Sequence, residues 1–459
     1  MISLKQGVNL SYMGRTPEEI ISSYEKIFSR VQRVSYAPLI AVRGRNSKIF
    51  DVNGKAYIDF TSSAAVTNLG YCDPEIVKVI KEQAEELIHF TFIYGYNVPA
   101  LQLAEELLSL TGFKNWRVVF GLSGSDANEG ALMLAKGFRR DSRVLLSYEG
   151  SFHGCCVGTT TVSGVDLSVK VSEVIGPWLK SLKAPYPYCY RCPLSLKPES
   201  CRMSCVERVK ALIDDVGPEN IVALITEPIQ GDGGIIVPPE DYFTRLESIL
   251  RKHGIPIIVD EVQTGLGRTG KWFAYQHFGL RPDVITLGKP LGAGLPISAI
   301  LGREDIMNSL PDFAYSFTLS GNPLIARVAL RTVQLIMERD LVRRAERLGE
   351  IVLRRLSKLR DECSIVGDVR GKGLMIGLEL VNDKHSKARG FKEAKKVVWR
   401  AYELGLFIMF LSGNVLRIQP PLTIEEEVLE EGLNILEKSV KDVEEGKVSD
   451  EALTKIQGW

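Results

Sequence analysis

The chain has 459 residues, a formal net charge of +1 at pH 7 and 45% hydrophobic residues. The balanced charge excludes the strongly basic surface that binds nucleic acid or acidic membranes, and the length exceeds the roughly 250–300 residues at which one core stops growing. We therefore expect a globular protein with two domains. The first ten residues do not resemble a secretion signal, and no apolar run approaches the roughly 20 residues that span a bilayer, so we expect a cytoplasmic location.

The predicted elements begin with a hairpin and then alternate between helices and buried strands. Asn53-Gly54, between the segments 49–53 and 55–59, is typical of a hairpin turn, and Asp73-Pro74 is typical of a helix start. Further helices are predicted over 99–110, 126–139 and 239–253, and strands over 117–120, 142–147, 221–226, 255–259, 283–287 and 297–301. This alternation predicts an α/β fold with a mostly parallel sheet that is covered by helices on both faces.

The pattern changes in the last third of the chain. A long amphipathic helical pattern runs from about Leu324 through Leu348, followed by short strands around 373–380 and 415–418 and a charged helix over 424–440. We interpret this region as a smaller α+β domain that the N-terminal segment completes. The predicted organisation is an N-terminal segment over 1–72, a large domain over 73–323 and a C-terminal small domain over 324–459.

Two glycine-rich segments resemble phosphate-binding loops. Gly265–Lys271 matches two nucleotide-binding patterns, but Trp272 follows the lysine where a P-loop needs Ser or Thr, so we interpret this segment as a turn in a pocket wall. In Phe120–Glu129, small residues lie between a strand and a helix, and the free N–H groups at that helix start could bind an anion. Ser125 or Asp126 could instead only cap the helix.

Two buried strands end in residues that can carry chemistry. One ends in Asp260, whose carboxylate is costly to bury unless a cation meets it; the simple alternative is a salt bridge to arginine. The other ends in Lys289, which could act as an amine nucleophile or be an ordinary surface lysine. Ligands of open α/β sheets bind at the carboxyl ends of the strands. The helix start within Phe120–Glu129, Asp260 and Lys289 all lie at such ends. A phosphate cradle, a carboxylate and an amine together fit pyridoxal 5′-phosphate.

The same segments identify a family resemblance. The chain resembles the class III, or ω-amino-acid, pyridoxal-phosphate aminotransferases, which include the 4-aminobutyrate and ornithine enzymes, from about Gly44 to Leu422. The segments that carry the resemblance are 51–60, 123–129, 152–154, 227–231, 259–270, 286–289, 321–323 and 415–417. The resemblance implies the aspartate-aminotransferase fold, fold type I, with pyridoxal 5′-phosphate as cofactor.

The resemblance also implies roles for individual residues. Lys289 would form the Schiff base and move the substrate proton, and Asp260 would hold the pyridinium nitrogen. The other cofactor-binding residues would be Gly124 and Ser125 at the phosphate, Phe152 on the ring face, His153 beside it, Gln263 at the phenolic oxygen, and Thr318 at the phosphate of the neighbouring subunit in a homodimer.

For the substrate, Arg417 would bind an α-carboxylate, and Glu227 would neutralise Arg417 while a terminal amine without that carboxylate is bound. The implied reaction transfers an amino group, such as that of 4-aminobutyrate or ornithine, to a 2-oxo acid through a pyridoxamine phosphate form.

Two departures from the family pattern affect this expectation. Many relatives have Arg after the His-Gly pair, where it holds a second carboxylate, but this chain has Cys155. In addition, Tyr71-Cys72-Asp73 replaces a Gly-His-x-His type of turn. The identity of the amino donor and acceptor therefore does not follow from the family alone.

A second resemblance points to another reaction. Gly121–Asn128 is similar to the phosphate loop of family members that racemise or epimerise amino acids. Racemisation needs a base on each face of the carbanion, and Asp232 is a conceivable second base beside Lys289. Asp232 could equally be a turn residue between Gly231 and Gly233. Because Glu227 and Arg417 suit a two-substrate cycle, the sequence favours transfer over racemisation.

Four cysteines lie close together in the irregular stretch Lys180–Val206. Cys189, Cys192, Cys201 and Cys205 have the spacing C-x₂-C-x₈-C-x₃-C, which has only one of the two tight pairs that structural zinc usually uses. Four such thiolates could hold zinc or an iron–sulfur cluster, but free thiols or local disulfides are the favoured interpretations, and no metal is assigned to the site.

Overall fold

The computed structural model describes residues 14–32 and 34–458. The first ten residues, on which the prediction about a secretion signal rests, lie outside these ranges. The strands are β1 (Ala41–Arg45), β2 (Lys48–Asp51), β3 (Ala56–Asp59), β4 (Trp116–Gly121), β5 (Val144–Tyr148), β6 (Lys180–Ala184), β7 (Ile221–Thr226), β8 (Ile257–Asp260), β9 (Val284–Leu287), β10 (Ser298–Arg303), β11 (Val366–Lys372), β12 (Met375–Asp383), β13 (Ala388–Arg389), β14 (Leu406–Phe407), β15 (Met409–Leu411) and β16 (Val415–Ile418).

The helices follow the same chain order. They are α1 (Pro17–Ile27), α2 (Ser62–Ala65), α3 (Pro74–Glu86), α4 (Val98–Thr111), α5 (Gly124–Phe138), α6 (Val157–Val162), α7 (Asp166–Ile175), α8 (Ser204–Val216), α9 (Tyr242–Lys252), α10 (Glu304–Met307), α11 (Pro323–Glu338), α12 (Leu341–Glu362), α13 (Phe391–Leu404), α14 (Glu426–Glu444) and α15 (Ala452–Lys455). None of these described helices is both long enough and apolar enough to span a bilayer.

A seven-stranded sheet forms the centre of the molecule. Its strand order is β4-β10-β9-β8-β7-β5-β6. Strands β6, β5, β7, β8 and β9 run parallel, and β10 is antiparallel to both of its neighbours, β9 and β4. Strand β4 therefore runs in the same direction as β9. The strands β5, β7, β8 and β9 are buried along their whole length, as expected where helices cover both faces.

Two smaller sheets join distant parts of the chain. The sheet β1-β2-β3-β14 pairs the N-terminal hairpin with a strand near residue 406, and β3 and β14 run parallel. The sheet β11-β12-β16-β15 is antiparallel, with β13 at the end of β12. A buried hydrophobic core runs from the N-terminal hairpin through the central sheet to α14.

The structure confirms the α/β fold and most of the predicted elements. The hairpin at Asn53-Gly54 is present, and β7 and β16 have the predicted bounds. Two predictions were wrong. The long helix expected through Leu348 is two helices, because Asp340 between α11 and α12 has a left-handed backbone with φ of 49°. The stretch expected to be irregular contains β6, a partly polar edge strand.

Candidate active site

The candidate site lies at the carboxyl edge of the central sheet. Asp260 is the last residue of β8, Glu227 follows β7, and Lys289 is the second residue after β9 and opens the 3₁₀ turn Lys289–Gly292. Strand β4 ends at Gly121 on the same edge, just before α5. Parallel strands place their carboxyl ends together, so the fold brings these four predicted segments to one edge.

The start of α5 is a backbone cradle. Ser123 caps the helix, since its side chain accepts a hydrogen bond from Asp126 N, and the carboxylate of Asp126 accepts from Ser123 N at 2.9 Å. The helix cap is therefore Ser123, two residues before Ser125 and three before Asp126, the two positions considered from the sequence. Gly124 and Ser125 are the first helical residues, so their N–H groups belong to the unpaired set at a helix N-terminus.

Glycine is required at position 124 because the side chain of Val262 packs directly against it. A Cβ on residue 124 would lie 2.5 Å from Val262 Cγ1, and a Cβ on Gly288 would lie 3.2 Å from Gly124 Cα. The start of α5 therefore packs against the residue before Lys289. The hydroxyl of Ser125 accepts a hydrogen bond from Cys155 N at 3.2 Å, which brings the segment after Phe152 to the same cradle.

Asp260 is fixed by three hydrogen bonds. Its Oδ2 atom accepts from Asn128 Nδ2 at 2.7 Å and lies 2.8 Å from His153 Nδ1, and its Oδ1 atom accepts from Val262 N at 3.0 Å. The residue is 4% exposed. No arginine pairs with Asp260 among the described residues, so the simple salt-bridge interpretation does not apply. A buried carboxylate without an arginine or lysine partner is arranged to meet an additional cationic group.

Asn128 is a site residue to which the sequence analysis assigned no role. Besides Asp260, its side-chain amide donates to His153 O at 2.8 Å and accepts from the hydroxyl of Thr286 at 2.6 Å. The signal was available, because Asn128 lies one turn into the helix of the predicted phosphate loop. Its partners are 25 to 158 residues away, and no local pattern encodes them.

His153 lies beneath the site with one unused nitrogen. Its ring is buried, Nδ1 faces Asp260, and Nε2 has no hydrogen-bond partner in the described part of the chain. With its proton on Nδ1, His153 donates to the Asp260 carboxylate and holds its orientation. His153 was predicted to bind the cofactor, and in the structure it contacts Asp260, the residue expected at the pyridinium nitrogen.

Gln263 is buried against the loop that follows β7. Its Oε1 atom accepts from Gln419 Nε2 at 3.1 Å. A Cβ on Gly231 would lie 2.4 Å from Gln263 Nε2, so glycine is needed there for the amide to fit. This contact connects Gln263 both to the loop that carries Asp232 and to the segment after β16.

Glu227 is held by the backbone rather than by an arginine. Its Oε1 atom accepts from Phe152 N at 3.0 Å and its Oε2 atom from Gly231 N at 2.8 Å. Burial raises the pKa of Glu227 to about 8, and the negative charges of Asp260 and Asp232 act in the same direction. Glu227 thereby joins the segment of Phe152 to the loop of Asp232.

Arg417 pairs with Asp232. Arg417 Nη1 lies 3.3 Å from Asp232 Oδ1, and the two side chains are 3% and 10% exposed. The expected partner, Glu227, forms no ion pair with Arg417 in the described ranges. Arg417 Nε has no hydrogen-bond partner there either, so the guanidinium retains a donor for a further carboxylate.

Asp232 also faces open space. It lines a cavity of about 850 Å³ whose walls include Tyr186, Tyr188, Ile236 and Phe391. The interpretation of Asp232 as only a turn residue is therefore incomplete, because its side chain meets both a buried arginine and a cavity. Thr318, in contrast, is exposed in a turn after β10 and before α11.

The second glycine-rich segment has a structural role. Arg268 within it is fully buried and donates to the carbonyl oxygens of Leu374 and Pro420, at 3.0 and 2.6 Å, and to Asn68 Oδ1 at 2.6 Å. The turn therefore fastens three distant segments together, as expected for a turn rather than a nucleotide loop. Burial lowers the pKa of Arg268 to about 9.

The four clustered cysteines are free thiols in this structure. Within residues 14–32 and 34–458, no three His, Cys, Asp or Glu side chains are arranged to hold a metal ion. Nearby Tyr188 and Arg191 both donate to the carboxylate of Glu379 on β12, so this stretch is attached to the antiparallel sheet.

Comparison with known proteins agrees with this geometry. Residues 30–440 match the family described as aminotransferase class-III. The chain is 54% identical to a leucine/methionine racemase of Thermococcus litoralis, over 96% of this chain and 99% of that protein, and 38% identical to an alanine/serine racemase of Pyrococcus horikoshii, over 96% and 94%. A crystal structure of a Bacillus anthracis aminotransferase superposes with a TM-score of 0.86 at 28% identity, covering 95% of this chain and all of that one.

The chain therefore belongs to the class-III aminotransferase family, with the fold type I architecture and pyridoxal 5′-phosphate as cofactor. The residues present fit that cofactor. The cradle at Gly124 and Ser125 has free backbone N–H groups for the phosphate, the buried carboxylate of Asp260 meets the need of a pyridinium nitrogen, and the Lys289 amine lies two residues beyond β9.

Proposed function

We propose that the protein is a pyridoxal-phosphate-dependent racemase or epimerase of a neutral amino acid with an apolar side chain. The observation that carries this proposal is the pairing of Asp232 with Arg417. Arg417 is the residue expected to bind the substrate α-carboxylate. The α-carboxylate that Arg417 would bind is bonded directly to the substrate Cα. The Asp232 carboxylate, which contacts the same arginine, would therefore lie near Cα, where racemisation needs a second base.

The two bases would work in sequence. Bound pyridoxal phosphate withdraws electrons from the substrate Cα and makes its proton acidic. Racemisation then requires removal of the proton on one face and its return on the other. The substrate carboxylate displaces Asp232 from Arg417, and the released Asp232 is the base on one face while the Lys289 amine serves the other.

The relatives and the pocket support the choice of substrate. The family members 54% and 38% identical to this chain are named as racemases of leucine and methionine and of alanine and serine. Cys155 stands where an arginine would hold a second carboxylate, and the cavity beside Asp232 is walled partly by aromatic and aliphatic side chains. Both features favour a neutral amino acid over glutamate or 2-oxoglutarate.

Amino-group transfer to a 2-oxo acid is the second candidate. The family and the aminotransferase fold support it, and one contact favours it specifically. Asp232 could mask Arg417 while a terminal amine such as 4-aminobutyrate or ornithine is bound, which is the task that the sequence assigned to Glu227. In this reaction Lys289 alone would move the proton, and Asp232 would affect only the binding of the substrates.

We also propose a homodimer in which Thr318 reaches the neighbouring site. Large apolar side chains are exposed on two segments that touch each other, since Asn97 donates to Gly321 O at 3.0 Å. Tyr94, Tyr96 and Leu319 are 83%, 103% and 52% exposed. An apolar patch of this kind next to Thr318 suits contact with a second copy.

The test separates the two reactions by their need for a 2-oxo acid. The purified enzyme with bound pyridoxal phosphate is incubated in D₂O with L-leucine or L-methionine and without a 2-oxo acid, and the products are separated on a chiral column. Racemisation predicts the D-enantiomer with one deuterium at Cα. Product that appears only after pyruvate or 2-oxoglutarate is added, as a keto acid, would establish transfer instead.

The role of Asp232 is tested in the same assay. Asp232→Asn keeps an oxygen near Arg417 but removes the base, so inversion should fall by about 10²–10⁴-fold while cofactor absorbance is unchanged. Asp241→Asn, at a half-exposed carboxylate paired with Arg245, is the matched control and should keep full activity. Unchanged inversion in Asp232→Asn would exclude Asp232 as the base.

A further inference from the structure

A run of left-handed backbone lies beside the 3₁₀ turn Lys289–Gly292, called here the lysine turn. The four consecutive residues of α2, Ser62–Ala65, have φ values of 46°, 48°, 63° and 66°, and none of them is glycine. This conformation is sterically unfavourable for L-amino acids, so a run of four persists only where its surroundings hold it. The run packs against the 3₁₀ turn Lys289–Gly292.

A buried carboxylate organises the start of this run. Asp59, fully buried at the end of β3, accepts hydrogen bonds from the backbone and the hydroxyl of Thr61, both at 2.7 Å. Thr61 in turn accepts from Ser63 N at 3.1 Å. The other oxygen of Asp59 accepts from the hydroxyl of Tyr71 at 2.7 Å. Of the three hydrogen bonds to Asp59, two come from Thr61 within the turn and the third comes from Tyr71.

Tyr71 is held so that its hydroxyl reaches the turn. Its backbone exchanges hydrogen bonds with Asn46 at 2.7 and 2.9 Å, and its side chain lies so close to Gly44 that a Cβ there would be 2.6 Å from it. The hydroxyl of Tyr71 lies 2.9 Å from Ser63 Oγ as well as 2.7 Å from Asp59. Tyr71 therefore connects the N-terminal sheet to the middle of the left-handed run.

The run is also connected to the cofactor site. The hydroxyl of Ser62 donates to Gln419 O at 2.6 Å, and Gln419 N donates to Phe60 O at 2.7 Å. The side-chain amide of the same Gln419 donates to Gln263, the residue expected at the cofactor's phenolic oxygen. Ser62, at one end of the run, thus holds the backbone of Gln419. The run also packs against the 3₁₀ turn Lys289–Gly292.

We propose that Tyr71 is a positioning residue for the amino-acid pocket: its hydroxyl, through Asp59 and Ser63, holds the left-handed run Ser62–Ala65 against the Lys289 turn. This role would explain why Tyr71-Cys72-Asp73 stands here in place of the Gly-His-x-His type of turn. Tyr71 acts through the turn and through Gln419, and it does not itself contact the reacting atoms. The inference rests on the proposed function only for the choice of assay substrate.

The experiment compares Tyr71→Phe with Tyr57→Phe in the enzyme with bound pyridoxal phosphate. The control removes a hydroxyl that donates to Asp51 at 3.3 Å in the same N-terminal sheet but does not contact the run. Hydrogen–deuterium exchange is followed by mass spectrometry on peptides that cover 60–70, and KM and kcat are measured with leucine. The melting temperature of each variant reports general destabilisation.

Tyr71→Phe should raise the exchange rate of the 60–70 amides by about ten-fold, as expected for the loss of a buried hydrogen bond. KM should rise by a similar factor with kcat changed less than about three-fold, since binding geometry and not proton transfer is affected. Ser62→Ala, which removes the contact to Gln419, should give the same local signature. Tyr57→Phe should match the wild type in exchange and in KM.

Wild-type exchange and KM in Tyr71→Phe, or equal changes in Tyr57→Phe, would overturn the proposal. A fall in kcat without change in KM or local exchange would also contradict it, because that outcome places Tyr71 in the chemistry. If the wild-type enzyme does not racemise leucine, the proposed function fails, and the exchange measurement still decides the role of Tyr71 by itself.

Discussion

Asp260 is deeply buried and is held by hydrogen bonds from Asn128, His153 and Val262, and this arrangement determines the expected effect of its substitution. Asn128 and His153 fix its orientation, so the carboxylate is ready for a pyridinium nitrogen without rearrangement. Asp260→Asn should lower kcat by at least about 10²-fold, because a neutral amide cannot keep that nitrogen protonated. Steady-state kinetics and the visible spectrum of the bound cofactor are the measurements.

The spectrum supplies the control for this prediction. Lys289 is intact in Asp260→Asn, so the variant should still bind the cofactor and absorb visible light, whereas Lys289→Ala should lose that absorbance. Near-normal turnover in Asp260→Asn would assign the ring nitrogen to another residue.

Glu227 should make stability depend on pH. Its pKa in the folded protein, about 8, lies above the ordinary value of 4.5, so the folded protein retains a proton that the unfolded chain releases. Its contribution is therefore complete below about pH 4.5 and declines as pH rises toward 8, by at most about 1.4 kcal/mol per pH unit. Chemical denaturation of wild type and Glu227→Gln between pH 5 and 9 measures the difference.

Glu227→Gln should show the smaller loss of stability across this pH range, because glutamine does not titrate. Glu240→Gln, at an exposed glutamate after β7, should retain the wild-type slope. Parallel curves for wild type and Glu227→Gln would show that the carboxyl group is ionised throughout and is held by the amides of Phe152 and Gly231.

At the scale of elements, the turn around Arg268 fastens the segment of Asn68 to the ends of the paired strands β12 and β16. Arg268→Leu would leave the carbonyls of Leu374 and Pro420 and the amide of Asn68 without their donor, all in a buried site. We expect a loss of about 3 kcal/mol or more in the free energy of unfolding. Arg354→Leu on the exposed face of α12 is the matched control and should change stability by less than about 0.5 kcal/mol.

A loss below about 1 kcal/mol in Arg268→Leu would mean that the segments are held together by their apolar packing alone. Denaturant titration decides this, provided that the slope of the transition is the same for wild type and variants.

The elements also show how far the sequence could be interpreted. Buried strands such as β7 were predicted closely because an uninterrupted apolar run has few alternatives. Strand β6 was missed because it is a partly polar edge strand, and the break before α12 was missed because Asp340 carries neither the glycine nor the proline that usually marks such a break. These elements take their form from tertiary contacts.

Some residues of the candidate site were also predictable from local sequence, and others were not. Asp260 and Lys289 follow apolar strands, so local pattern and strand direction were sufficient to bring them together. The contact between Arg417 and Asp232 was not predicted, because Asp232 is 185 residues away in sequence and only the folded loop after Gly231 turns its carboxylate toward the arginine. Asn128 was missed for the same reason. The neutralisation of Arg417 by Glu227 while a terminal amine is bound stays a prediction.

At the scale of the whole molecule, the exposed apolar patch near Thr318 predicts self-association. Tyr96→Asp would place a charge in the patch, so a dimer of about 102 kDa, twice the 51.0 kDa chain, should shift toward monomer. Light scattering after size exclusion measures the mass. Val174→Asp, at a residue 85% exposed on α7, is the control and should leave the mass unchanged. A wild-type mass of one chain would contradict the proposed dimer.

The parallel pairing of β3 with β14 has a consequence for synthesis on the ribosome. Ile58 pairs with Leu406, 406 − 58 = 348 residues later, so at roughly 5–20 residues per second β3 waits roughly 17–70 s for its partner. Strand β10, the last of the central sheet, ends at Arg303 and emerges well before then. The nascent N-terminal hairpin thus carries an unpaired edge after the central sheet can form, and that edge is a natural place for a chaperone to bind.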